Sequence, residues 1–335
     1  MKVLTPIFVG TLGMNKLELN PEIRSRLASL VTPNDAQGLR AACHSLVMII
    51  VAVLLPMFGS AGFVASVFIC GIAQRSLSTL VHEASHQILF RRRVLNEALG
   101  LLSSATVVQS YSAYKRSHFD HHRALGVEDL DPEVLFHDEQ YRLLGNGNRS
   151  LLLLLSGYCT IRYIKYVFTD RGLTAGRSFR DYVALILFWM ACIYLSLQVP
   201  LLRAPTVAWI VALVYVYPIV GWLCELGEHY PYDRDDWNET FQSRNRLGSK
   251  WEKWILGIHN ENYHLIHHLF PGIPYFNLPA AHAVLLAVPE YHAVADESPG
   301  VLSRSQTGTP SLLFQAMCRT KKVASTRAEH SKEQP

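Results

Sequence analysis

The sequence is short of charge. Asp, Glu, Lys and Arg make up only 17% of its 335 residues while apolar types make up 50%, and mean hydropathy is +0.14. Such a chain is too greasy for an ordinary soluble domain and too apolar to be disordered. Base barely exceeds acid, 31 − 27 = +4 with histidine neutral, and the lysines and arginines are confined to particular segments, so no nucleic-acid partner is expected. The six cysteines, Cys43, Cys70, Cys159, Cys192, Cys224 and Cys318, lie far apart with no CxxC pair. That excludes a disulfide framework, and they read as reduced packing residues. Met1 to Phe8 has one lysine and no convincing cleavage site, so no signal peptide is expected. No internal repeat and no second domain stand out.

What the chain does have is uncharged length. Ala41 to Gln74 runs 34 residues without a formal charge, roughly 51 Å as one helix against a hydrocarbon core of roughly 30 Å. Pro56, Gly59, Ser60 and Gly62 supply a break, which predicts a hairpin of two spans, about Ala41 to Phe58 and about Ala61 to Leu80, with Arg75 snorkelling near the end of the second. Tyr182 to Leu202 and Ala204 to Cys224 are two further uncharged runs of 21 residues, parted by Arg203 with help from Pro200 and Pro205. They predict a second hairpin. Lysine and arginine number five before Ala41, none in the first turn, fourteen from Gln74 to Arg180, one in the second turn and eleven after Cys224. Thirty of the thirty-one thus fall on one side, which the positive-inside rule makes the cytosol. The expected fold is all-α: a polytopic membrane protein with four transmembrane helices in two hairpins. It divides into a cytosolic N-terminal segment 1–40, one membrane domain 41–297 and a polar, mobile tail 298–335 with at most a short helix near Ser311 to Met317.

Fifteen histidines are the anomaly. His82 and His86, directly after the second span, are i, i+4 neighbours on one helical face. His118-Phe119-Asp120-His121-His122 and His264-Leu265-Ile266-His267-His268 share the pattern HxxHH, which again puts three rings on one face, with Asp120 and Ile266 pointing away. A single such cluster reads as a solvated face. Two spans lie between the second and third clusters, so all eight imidazoles return to the same side, and eight exceed what one mononuclear site can use. Imidazole suits iron, zinc and copper, and a dinuclear site is expected. His229, just past the fourth span, is a ninth candidate. Glu225, one turn before it, is costly at a membrane exit unless paired, protonated or metal-bound, and is considered as a ligand or as a group acting on one through water. Asn260 and Asn262 are considered as side chains that orient imidazoles through their ring N–H groups. His44, His137, His259, His282, His292 and His330 lack a partner spacing and are left as structural or surface residues. His82 to His86 is also a literal HExxH, the zinc-protease motif, but that alternative leaves both HxxHH clusters unused.

As a set these motifs resemble the membrane fatty acid desaturase and hydroxylase superfamily, the histidine-box di-iron enzymes. The resemblance covers about Ala41 to Ala283 and extends to YSAYKRSHFDHH at Tyr111 to His122, to Gly126 and Asp129-Leu130-Asp131-Pro132, and to Asn262-Tyr263-His264 through Pro271 and Pro274. It implies a cytosolic helical cap carrying the boxes over a four-helix stem, a tunnel for an acyl chain, two non-haem irons, and dioxygen as co-substrate. The implied iron ligands are His82, His86, His118, His121, His122, His229, His264, His267 and His268. Animal acyl-CoA desaturases carry asparagine where this chain has Glu225, so neither a water-mediated contact there nor a CoA substrate is carried over. The activity implied is desaturation of a fatty acyl lipid, with a hydroxylase, a carotenoid ketolase or a sphingolipid desaturase as alternatives on the same scaffold. The chain has no GxGxxG loop and no HPGG-type haem segment. Electrons are therefore expected from a separate ferredoxin, rubredoxin or cytochrome b5 with its reductase. Arg91, Arg92, Arg93, Lys115 and Arg116 are read as docking charges for an acidic donor or a carboxylate headgroup, or equally as anchors at lipid headgroups. The implied location is the inner membrane of a bacterium or the endoplasmic reticulum of a eukaryote.

Overall fold

The computed structural model describes residues 17–127, 130–132, 156–165, 167, 178–229, 243–296, 298–315 and 318. Expectations placed on Met1 to Phe8, His137 and His330 lie outside the described residues. Among those described, all regular structure is helical. Three helical stretches are long and apolar enough to cross a membrane: Asp35–Ser85, Phe179–Gln198 and Pro200–His229.

The first stretch is not one rod. Helix α1 (Pro21–Ser29) is followed by α2 (Asp35–Leu54), whose N-terminus is capped by the Asn34 side chain accepting from Ala36 N–H. Leu55–Phe58 tightens into a 3₁₀ turn with Pro56 at its start, and Gly59 takes φ 78°, a left-handed value that costs glycine nothing. Helix α3 (Gly59–Ser85) then runs back along α2. Ser45 Oγ meets Ser76 Oγ at 2.7 Å and Ser66 Oγ donates to Ala52 O at 2.7 Å; rising numbers on one helix meet falling numbers on the other, as an antiparallel hairpin requires. Leu46, Val47, Ile50, Met57 and Phe58 stay exposed along it, an apolar surface that suits lipid.

Helix α3 continues past the expected Leu80 and carries the first histidine box on its last turn. Arg75 does not snorkel. It turns inward, forms an ion pair with Glu261 and lies 4.0 Å from Glu228. Helix α4 (Arg93–Thr106), which the charge pattern did not single out, lies against α3. The carbonyls of Ala105 and Thr106 at its end accept from the indoles of Trp189 (3.0 Å) and Trp209 (3.3 Å).

Helix α5 (Tyr111–Ala124) holds the second box. Its cap Ser110 accepts from Ala113 N–H and donates to the buried Asp181 carboxylate at 2.5 Å, which also accepts from Ser112 N–H at 2.9 Å. The start of α5 is thereby tied to the start of the second long helix. Helix α6 (Tyr158–Lys165) precedes that helix, α7 (Phe179–Gln198). The third stretch comprises a 3₁₀ turn, α8 (Arg203–Val211), a π-helical turn Ala212–Val216 and α9 (Tyr217–His229), which delivers His229 at its last residue. A Cβ on Gly227 would stand 2.5 Å from Arg246 Cδ and from Val301 Cγ2, so only glycine lets both side chains reach this end of α9.

The remaining helices, α10 (Lys250–Leu256), α11 (His264–Leu269), α12 (Leu278–Leu285) and α13 (Pro289–Asp296), are short. Their core joins Leu265, Ile266, Leu269 and Ile273 to Leu19, Ile23 and Leu27 from the N-terminal segment. The stretch 298–315, read from composition as the start of a tail, packs as well: Val301 and Leu312 are fully buried, and Glu252 accepts from the backbone of Val301, Leu302 and Ser303.

Candidate metal centre

All nine predicted histidines come together. Ligand nitrogens of His82, His86, His118, His122 and His267 lie within 4.8 Å of one another, as do those of His121, His229 and His268; His229 and His264 form a further set with Glu228 under the same limit. Because His229 is shared and His268 Nε2 lies 2.9 Å from His264 Nε2, the last two sets form one group of four rings. The five-ring and four-ring groups adjoin, with the His122 and His268 rings stacked at 4.4 Å between centroids. The HxxHH spacing explains the split. On α5, His118 and His122 serve the first group and His121 the second, whereas on α11 His267 serves the first and His264 and His268 the second. Each HxxHH box thus bridges both groups, while His82 and His86 serve the first alone. Leu265 and Ile266 fix α11 from behind by burial in the core, and Asp120 faces solvent.

The donor set suits a cation. His118 Nε2 approaches the Nε2 atoms of His86 (2.8 Å) and His122 (3.1 Å), and His264 Nε2 approaches those of His229 (3.1 Å) and His268 (2.9 Å). A neutral imidazole has one N–H to give, so nitrogens that converge in this way crowd lone pairs that a metal ion satisfies. His82 Nε2 is buried with no hydrogen-bond partner among the described residues. Burial, followed by the neighbouring rings, holds His86, His118, His122, His264, His267 and His268 well below the usual histidine range. At neutral pH they are uncharged, the form that binds metal.

Three carboxylates stand behind the rings, and the sequence reading assigned none of them these roles. Asp131 Oδ1 lies 2.9 Å from His121 Nδ1 while its other oxygen accepts from Gly126 N–H at 2.8 Å; this fixes the His121 tautomer and leaves Nε2 for a metal. Glu83 accepts from Tyr275 N–H at 2.9 Å and lies 3.4 Å from His82 Nδ1. The glutamate of the HExxH motif is therefore taken up by the cap backbone, and its two histidines join three from the other boxes, unlike the open position a zinc protease keeps. Glu228 is buried; Arg246 Nη2 donates to its Oε1 at 2.5 Å, and Oε2 stands 3.7 Å from His264 Nε2.

Glu228, not Glu225, is thus the acid among the imidazoles; Glu225 acts electrostatically on Arg75 and Tyr217. Asn260 and Asn262 are placed otherwise than expected. The Asn260 amide donates to Tyr275 O at 3.1 Å, and Asn262 is buried against Gly257 with its amide nitrogen unpartnered among the described residues. Lys115, considered for donor docking, is paired with Glu97 at 3.1 Å.

The sequence pattern of the fatty acid desaturase family matches residues 34–299. The chain is 30% identical over 272 residues to a dihydrorhizobitoxine desaturase of Bradyrhizobium elkanii, covering 77% of each. It is 28% identical over 230 residues to the sphingolipid delta(4)-desaturase/C4-monooxygenase DES2 of Homo sapiens, covering 66% of this chain and 64% of that one. It is 24% identical over 283 residues to the sphingolipid delta(4)-desaturase DES1 of Mus musculus, covering 77% and 80%. With nine histidines gathered at the ends of apolar helices and the family pattern spanning most of its length, the chain belongs to the fatty acid desaturase family and is an oxidoreductase.

Proposed function

We propose that this protein is an oxygen-dependent di-iron desaturase acting on a sphingolipid-type long-chain substrate. The observation that carries the reading is the convergence of five and four imidazoles from three separated boxes and His229 into two adjoining groups. Iron bound there would supply the dioxygen activation needed to remove hydrogen from an unactivated methylene, which no side chain can do. His82, His86, His118, His122 and His267 would hold one iron, and His121, His229, His264 and His268 the other, with Glu228 beside the second. Asp131 keeps one nitrogen of His121 committed, and burial keeps His86, His118, His122, His264, His267 and His268 neutral. The sphingolipid names among the relatives favour that alternative over the general acyl-lipid reading taken from sequence.

In this reading the two apolar hairpins cross the membrane four times within a single domain, 41–297, and the boxes lie at the cytosolic surface; the one-sided distribution of lysine and arginine supports that orientation. Electrons come from a separate ferredoxin, rubredoxin or cytochrome b5 with its reductase. The test is purification with iron analysis, together with lipid mass spectrometry of an expressing host. About two irons per chain and an oxygen-dependent lipid product lacking two hydrogens are expected. The substitution His267→Ala should abolish that product while membrane insertion persists, and undiminished product would overturn the ligand assignment.

A further inference from the structure

Helix α10 (Lys250–Leu256) lies at the level where two apolar stretches run out. The uncharged runs end at Gln74 on α3 and at Cys224 on α9. Leu256 shares a core with Cys70 and Cys224, whose thiol donates to the Leu256 carbonyl at 3.5 Å, and Ile255 packs against a cluster of Met48, Ile72, Ala73 and Ile258. One side of α10 is therefore fixed to the ends of two spans, the depth at which hydrocarbon gives way to headgroups.

The other side carries what such a depth selects. Trp251 and Trp254, at i and i+3, are 52% and 55% exposed. An indole joins an apolar body to a single N–H donor, which suits neither bulk water nor bulk hydrocarbon but the boundary between them. Lys250 and Lys253 form a second i, i+3 row beside the indoles. Lys250 is exposed, and Lys253 Nζ lies 5.7 Å from the centroid of the Tyr263 ring, so this row runs on the cap side, at the height of headgroup phosphates. Glu252, the one acid of α10, is buried and spent on the stretch 298–315, accepting from Leu302 and Ser303 N–H at 3.3 and 2.9 Å. The stretch it holds exposes two more apolar side chains, Leu302 and Phe314, while Leu313 packs into the core that contains Leu256. On α3, the exposed Phe68 lies two residues from Cys70 in that same core. The apolar surface of α10 is thus continuous with the surface the stem offers to lipid, and its exposed charge is positive.

We propose that α10 is an interfacial anchor: Trp251 and Trp254 sit in the leaflet on the side of the histidine boxes, and Lys250 and Lys253 favour anionic headgroups there. The inference rests on the reading that the apolar hairpins cross a membrane, and it adds where the cap meets that membrane. The anchor is also coupled to the metal centre. Arg246 donates through Nη1 to the Leu256 carbonyl at the end of α10 and through Nη2 to Glu228, which stands beside His264. The seating of α10 therefore sets the height of the four-ring group over the leaflet.

The test uses the full-length iron-loaded protein in nanodiscs of phosphatidylcholine, with and without phosphatidylglycerol. The chain has six tryptophans, and the two of α10 are isolated as the difference in emission between the protein and its variant with Trp251→Phe and Trp254→Phe. That difference signal should lose more intensity to lipids brominated near the glycerol backbone than to lipids brominated at the chain end or to aqueous acrylamide. Phosphatidylglycerol should increase the loss to the shallow bromines, and Lys250→Gln with Lys253→Gln should remove the increase while iron content stays the same. Quenching by acrylamide without a response to brominated lipid would overturn the proposal. So would protection from acrylamide that appears only when an acidic electron-donor protein is added, and an equal response in both lipid mixtures would overturn the part given to the lysines. Extraction with alkaline carbonate checks the membrane reading separately. A chain that stays in the membrane while its Trp pair answers only to acrylamide defeats the anchor alone, whereas release of the whole chain defeats both. Shallow quenching in a protein that yields no desaturated lipid would count against the desaturase reading and leave the anchor standing.

Discussion

The two imidazole groups share both HxxHH boxes yet are backed by different chemistry. In the first, five rings converge and the nearby carboxylate, Glu83, is turned to a backbone N–H, 3.4 Å from His82. In the second, four rings converge, Asp131 sits 2.9 Å behind His121, and Glu228 reaches to 3.7 Å from His264 while Arg246 holds its far oxygen. With the one carboxylate of the first group turned to a backbone N–H and two carboxylates reaching rings of the second, two metals held there would have unequal electronic surroundings, since outer carboxylates raise ligand basicity and stabilise higher positive charge. Both HxxHH boxes feed both groups, so the difference in carboxylate support does not come from them. It comes from residues that the fold brings up behind them.

The sharpest way to break the comparison is Glu228→Gln. The change strikes the four-ring group alone and leaves the Arg246 guanidinium, whose side chain is 2% exposed, beside a neutral amide. Breaking a buried pair costs on the order of 3–5 kcal/mol, so thermal unfolding should move down by many degrees and iron should fall from about two per chain toward one. Adding Arg246→Met should return part of the stability and none of the iron. Two irons retained in the single variant, with an unchanged unfolding midpoint, would make the groups equivalent.

Asp131→Asn gives a smaller and more selective effect. Its buried carboxylate both fixes the His121 ring and accepts from Gly126 N–H. An amide keeps the second contact but weakens the first, so metal affinity at the four-ring group should fall by about 10–100-fold, with the five-ring group unmoved. Chelator titration followed by Mössbauer spectroscopy resolves the two. Equal loss from both groups would show that Asp131 supports the fold and not one ring.

Which parts of this arrangement could be read in the sequence follows from the range over which each signal acts. The i, i+3, i+4 spacings of the histidines are local, and so is the Pro56–Gly59 break, so eight of the nine rings and the first hairpin were legible in them, while His229 stood out only by its place just past an apolar run. Helix ends were less so, because α2 starts at the Asn34 cap, before the apolar run begins, and α3 ends after its own run is over. Glu225 attracted attention as the residue one turn from His229. Glu228 takes the site because Arg246, 18 residues away along the chain and admitted by Gly227, holds its carboxylate. Arg75 was misplaced for a related reason: its partners, Glu228 and Glu261, are distant in sequence, and a charge near a span's end looks as though it must reach for water. Asp131 had a signal of its own, an acid lying ten residues beyond His121, but nothing in that spacing says which ring it meets.

Glu83→Gln should have the mildest effect, and its mildness is the point. In a zinc protease the glutamate of HExxH activates water, and its amide variant loses nearly all activity. Here the carboxylate accepts from Tyr275 N–H at 2.9 Å, a bond the amide oxygen of glutamine also makes, and its approach to His82 at 3.4 Å is too long for a strong hydrogen bond. Iron content should be unchanged and turnover reduced by no more than about threefold, the scale of one modest hydrogen bond. A collapse of activity with both irons still bound would move Glu83 from the scaffold into the chemistry, and the five-ring group would then be the one with the working carboxylate.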